Sequence, residues 1–177
     1  MFRYIDIKPI FFIFANIVFA HILSEINSEV APYIFFAVPA LFIVPSALFL
    51  NFLPMLFSVA FTAFFLEAST PVRAGSTVAM WMFMAFIVHS IRFRFLTLDW
   101  LSLSALCVCV NFVLIFLYFI FFPKETNSLS AYIVRIATDA LCSSALIMLV
   151  GKFCITIPIL LANLFGINLS IRSENGR

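Results

Sequence analysis

Long apolar runs separated by short polar breaks cover nearly the whole chain. The first occupies residues 9–24 and opens on Pro9, which suits the first turn of a helix. Asn16 and Ala20 lie four apart on one face, which predicts helix–helix packing or a polar contact with a neighbouring subunit. Glu25, Asn27, Ser28 and Glu29 then predict a short acidic loop. The second run, 31–50, contains Pro32, Pro39 and Pro45. Pro32 suits a helix start, whereas the other two must kink the helix or divide it. The short break at 51–54 makes the second and third spans antiparallel neighbours.

The third run, 55–68, ends on a lone acid. Ala60, Ala63 and Glu67 share a face there, so a small-residue track leads to the carboxylate. A break containing Pro71, Arg73 and Gly75 separates it from the fourth run, 76–91, which Arg92 and Arg94 stop. The fifth, 101–122, is the clearest: about 22 residues at 1.5 Å rise come to roughly 33 Å. The sixth, 130–150, closes at Gly151 and Lys152. Residues 153–165 are apolar but too few to cross comfortably, and they predict a re-entrant or interfacial segment. The pattern is that of an all-α, six-span polytopic membrane bundle. Residues 1–168 form one integral membrane domain, followed by a polar tail at 169–177.

Composition agrees. The chain is 65% hydrophobic and 10% charged, with mean hydropathy +1.20, against about 45–50% and about 25% for a soluble domain. With 25 Phe but only 4 Tyr and 2 Trp, the aromatics suit broad lipid contact better than a ligand cage. A net charge of +2 gives no ground for a nucleic-acid partner. Arg3 and Lys8 before the first apolar run imitate a signal peptide, but no small-x-small cleavage site follows, which predicts an uncleaved first span. With Met1 in the cytoplasm, Arg3, Lys8, Arg92, Arg94, Lys152, Arg172 and Arg177 collect inside, and Arg73, Lys124 and Arg135 outside. That bias predicts a multi-pass membrane protein with both termini cytoplasmic.

Few side chains offer chemistry. Glu67 is either a helix-end anchor wetted by headgroups or a docking element paired with Arg73. Arg135 and Asp139, four apart, predict an ion pair on one helix face; Asp139 as an ion or proton carrier is a weaker option. Asn111, mid-span, requires a partner on another helix. Cys107, Cys109, Cys142 and Cys154 sit in apolar runs and read as packing residues. His21 and His89 find no third ligand, so neither a metal nor any other cofactor is expected. No phosphate loop, nucleophile elbow or paired-carboxylate arrangement occurs, and a non-enzymatic role is expected.

The order Glu67, Pro71, Gly75, an E-x3-P-x3-G pattern, resembles the turn of the bacterial rod shape-determining family MreD. The last spans, 133–164, are similar to that family's C-terminal region. Two positions depart from its pattern: the acid is Glu where Asp is usual, and Phe and Ala stand where the family has helix glycines. The resemblance implies a non-enzymatic component of the cell-elongation complex in the bacterial inner (cytoplasmic) membrane. It would bind an MreC-like single-span protein and help couple an MreB-like cytoplasmic filament to peptidoglycan synthases. The same outline is similar to the substrate-binding subunits of energy-coupling-factor vitamin transporters, which supply an alternative function. Such a subunit would line a pocket with groups such as Asn111 and Asp139.

Overall fold

Where the apolar runs are unbroken, the backbone satisfies its own hydrogen bonds by turning into helix, as a lipid environment demands. The computed structural model describes residues 8–30, 33–67, 75–94, 100–121 and 129–164. Every regular element among them is helical: α1 (Lys8–Val30), α2 (Ala40–Phe49), α3 (Phe52–Glu67), α4 (Ser76–Ile91), α5 (Trp100–Phe121) and α6 (Leu129–Leu164). A 3-10 turn, Arg92–Arg94, extends α4. Four helices are long and apolar enough to cross a membrane: α1, α4 with its extension, α5 and α6. The six spanning helices expected from the sequence are therefore four among the described residues. The shorter pair are α2, with 10 residues, and α3, with 16.

Proline explains the short α2. Pro39 has no N–H and biases the residue before it away from helical angles. Residues 34–38 are accordingly non-helical, and α2 begins just after Pro39 at φ −56°. Pro45 lies within α2 without dividing it. From Ala40 to Leu48 every residue of α2 is buried, and the helix touches α1, α3, α4, α5 and α6. It is the central post of the bundle. Around it α3 packs along α1 and α4, and α5 along α6.

Two further boundaries differ from expectation. The acidic loop at 25–29 is instead the last part of α1, where Asn27 turns inward and Ser28 Oγ donates to the Glu25 carbonyl at 2.7 Å. Polar residues do not stop a helix once its backbone bonds are made internally. The separate segment expected at 153–165 is continuous with α6 as far as Leu164, giving 36 residues and a length of about 54 Å. Gly151 does not end the helix, because its bare Cα is a contact point. A Cβ built there meets Ser104 Oγ at 3.4 Å and Leu41 Cδ2 at 3.7 Å. Small residues let helices approach closely in membranes, where apolar burial alone gives little drive.

The outside of the bundle is Phe-rich. Phe14, Phe57, Phe64, Phe83 and Phe116 are all exposed, the distribution lipid-facing positions require. The two ends differ in chemistry. One gathers Glu67, Gly75 and Tyr118; the other joins Arg92 to Leu50 at the close of α2.

Candidate functional site

A non-helical stretch inside a membrane bundle leaves N–H and C=O groups that side chains must satisfy. Residues 35–37 receive such partners from three helices. Asn27 of α1 binds Phe36 twice, its Oδ1 accepting from the N–H at 2.9 Å and its Nδ2 donating to the carbonyl at 3.1 Å. From α6, Asp139 Oδ1 accepts from Phe35 N–H and Ser143 Oγ accepts from Ala37 N–H, each at 3.0 Å. From α5, Asn111 Nδ2 donates to the Ala37 carbonyl at 2.9 Å. At the other end of α2, Arg92 Nη1 donates to the Leu50 carbonyl at 3.0 Å, and His89 Nδ1 lies 3.0 Å from the Ala47 carbonyl. The Ala47 contact requires the proton on Nδ1. That nitrogen then cannot accept from Arg92 Nη1, 3.4 Å away. Basic groups beside the last carbonyls of a helix also complement its dipole.

The expected Arg135–Asp139 pair is long, 3.9 Å between Nε and Oδ2, with Arg135 half exposed. Bonding to Phe35 is the tighter use of Asp139. Asn111, expected to need another helix, finds a backbone carbonyl instead. Asn16 meets α3 within the chain: its Nδ2 donates to Thr62 Oγ1 at 3.4 Å, and Thr62 Oγ1 donates to the Ser58 carbonyl at 2.8 Å. Ser58 Oγ lies 3.3 Å from Ser46 Oγ of α2, so a small polar ladder joins α1, α3 and α2.

Glu67 is buried at 6% exposure. Its Oε2 accepts from Gly75 N–H at 2.9 Å and its Oε1 from Thr77 N–H at 3.2 Å. The carboxylate thus caps the start of α4 from the end of α3, where the orphan N–H groups and positive dipole end favour an anion. Gly75 makes this possible with φ +87°, the left-handed region a side chain resists. The Tyr118 hydroxyl bonds the Thr77 side chain and accepts from Trp81 Nε1 at 2.9 Å. Trp81 stacks on Phe42 of α2 at 5.9 Å between centroids, which ties the cap to the central post. Pro71 and Arg73 lie outside the described residues, as does the expected Glu67–Arg73 pairing.

The sequence reading singled out Glu67, Gly75, Asn16, Asn111, Arg135 and Asp139. The structure brings Asn111 and Asp139 together on residues 35–37, and Glu67 with Gly75 on the start of α4. Asn27, Ser143, His89 and Arg92 serve as further backbone partners, which the hydropathy pattern does not reveal, although Pro39 signals that carbonyls and amides nearby need them. Among the described residues no group of His, Cys, Asp and Glu is arranged to hold a metal ion. Among the described residues, open clefts indent the surface. One of about 350 Å³ is lined by Ile13, Phe57, Ala60, Phe61, Phe64 and Val78. Another, of about 490 Å³, lies beside Tyr33, Arg135 and Thr138. No protein-family model, no curated protein and no solved structure matches the chain.

Proposed function

We propose that this chain is a non-enzymatic interaction protein of the bacterial inner membrane, acting in the cell-elongation complex as the MreD-like pattern implies. One observation carries the proposal: in E-x3-P-x3-G the acid and the glycine are parts of one device. Glu67 binds the Gly75 amide and caps the helix that follows, so the pattern ties the end of α3 to the start of α4. Two helix ends tied together in this way suit partner contact, since little ordering cost remains for them when a partner helix docks. The polar side chains offer further support, because Asn27, Asn111, Ser143 and Asp139 already hold the backbone.

The proposed topology keeps six crossings. Residues 34–38 supply at most about 17 Å, at up to 3.3–3.6 Å per residue, and α2 about 15 Å more. Together they form a broken second span. An even count returns both termini to the cytoplasmic side, where Arg92 and Arg94 also fall. The proposed partner is an MreC-like single-span protein, with the filament and the wall synthases reached through it. Co-purification of the chain with such a partner tests this, using Gly75→Val to distort the turn and Asn16→Leu as a control away from it. The proposal expects Gly75→Val to release the partner while Asn16→Leu retains it. An intact complex in a folded Gly75→Val variant rejects the turn as the docking element. Reporter fusions at both termini check the orientation.

A further inference from the structure

Two buried side-chain atoms have no hydrogen-bond partner among the described residues, Asn111 Oδ1 and Ser104 Oγ. Both residues are fully buried. They lie seven apart on α5, so they share a face about 10 Å apart. Asn111 sits against Ala37, and Ser104 sits where Gly151 and Leu41 meet. Between these levels α2 begins. Its N-cap is Pro39, it has no side-chain cap, and Ala40 and Leu41 are 0% and 1% exposed. The amides of Leu41, Phe42 and Ile43 reach back to the Val38 and Pro39 carbonyls; no such bond is formed by Ala40 N–H.

This level of the bundle thus offers an acceptor at Asn111, a hydroxyl at Ser104 and one open N–H, that of Ala40. A carboxylate or phosphate would suit the N–H but oppose Oδ1, and a metal cation would suit Oδ1 but oppose the N–H. A small neutral molecule that both donates and accepts fits all three, and water is that molecule. A line of polar groups runs toward it from the surface. The open cleft of about 490 Å³ beside Tyr33, Arg135 and Thr138 adjoins Asp139, which bonds Phe35. One turn further along α6, Ser143 bonds Ala37, the residue that Asn111 also holds.

We propose that water enters by this cleft and occupies a polar seam between α5, α6 and residues 34–38, bonding Asn111 Oδ1 and the start of α2 and reaching Ser104. The seam makes the broken span a hydrated site, whatever partner the protein binds. The unpaired Asn111 and Ser104 atoms and the uncapped start of α2 are then satisfied by a ligand that the bilayer interior does not supply.

Hydroxyl-radical footprinting in ¹⁸O-labelled water tests this on the full chain in lipid nanodiscs, with water itself as the probe. Cys107 is the natural reporter: it is 0% exposed and lies on the α5 face between Ser104 and Asn111. Met55 of α3, also 0% exposed, is the dry control. The expected result is ¹⁸O incorporation at Cys107 with none at Met55, and its loss in Asn111→Leu. A Cys107 as silent as Met55 overturns the proposal, and so does labelling that persists in a folded Asn111→Leu variant. Should that variant fail to fold, the wild-type contrast between Cys107 and Met55 decides alone.

Discussion

Replacing Glu67 with Gln is the sharpest probe of the α3–α4 hairpin. The carboxylate accepts two backbone N–H bonds, from Gly75 and Thr77, at 6% exposure. Gln keeps one acceptor oxygen and turns an NH2 group toward the second N–H. A hydrogen bond to a charged group contributes about 1.5–3 kcal/mol net, and an anion at a helix start adds about 0.3–1 kcal/mol. Losing one bond and the charge therefore predicts about 2–4 kcal/mol of destabilisation. Glu67→Asp, one methylene shorter, should fall between wild type and Gln. The assay is reversible unfolding in mixed micelles on addition of sodium dodecyl sulfate, followed by Trp fluorescence. With only 2 Trp in the chain, a Trp100→Phe background leaves Trp81 as reporter. Trp81 bonds Tyr118, which bonds Thr77 beside the cap, so its emission should change as well as the midpoint. A shift below about 0.5 kcal/mol, the range of ordinary surface substitutions, would refute the cap.

Other substitutions separate the remaining contacts. Gly75→Ala should cost about 1–2 kcal/mol through its left-handed backbone and Gly75→Asn less. Among the described residues a Cβ there meets nothing within 4 Å, so equal midpoints for the two would show that φ is not the cause. Asn27→Leu leaves both polar groups of Phe36 unpaired, and about 2–6 kcal/mol should be lost at roughly 1–3 per unsatisfied group; an unchanged unfolding midpoint would contradict this. Arg92→Met should cost about 1–3 kcal/mol by releasing the Leu50 carbonyl, with Arg92→Lys partly restoring the midpoint; an Arg92→Met midpoint equal to wild type removes it as a cap. Gly151→Ala should change stability little, whereas Gly151→Leu must push against Ser104 and Leu41 and cost about 1–3 kcal/mol. Equal stability of those two variants would mean that α5 and α6 are not in close contact there.

Hydropathy carried α4 and α5 almost to the residue, because a long apolar run in lipid has no alternative to helix. It failed where polar residues serve backbone instead of solvent. Asn27 reads as part of a loop until Phe36 is known to need both an acceptor and a donor. His89 and Arg92 read as the end of a span until the carbonyls of α2 arrive beside them. Pro39 revealed the break itself, but no local rule reveals which side chains satisfy it. Those partners lie 74 to 106 residues away for Asn111, Asp139 and Ser143. Glu67 was visible as an odd acid. Its role was hidden because the cap joins two elements across a break of eight residues.

The separation of those partners gives the protein an order of assembly. α2 emerges from the ribosome with its neighbours Phe35 and Ala37 still lacking the amide and carbonyl partners of α5 and α6. At about 5–20 residues per second, the chain adds the residues up to Asp139 and Ser143 only after some 5–20 seconds. A ten-residue helix preceded by open backbone cannot remain in lipid for that time without other partners. Final placement of residues 34–49 is therefore a late event, completed when α6 arrives. A nascent chain arrested before Asp139 should hold residues 33–49 at the translocon or a membrane chaperone, and release them once α6 has entered the bilayer.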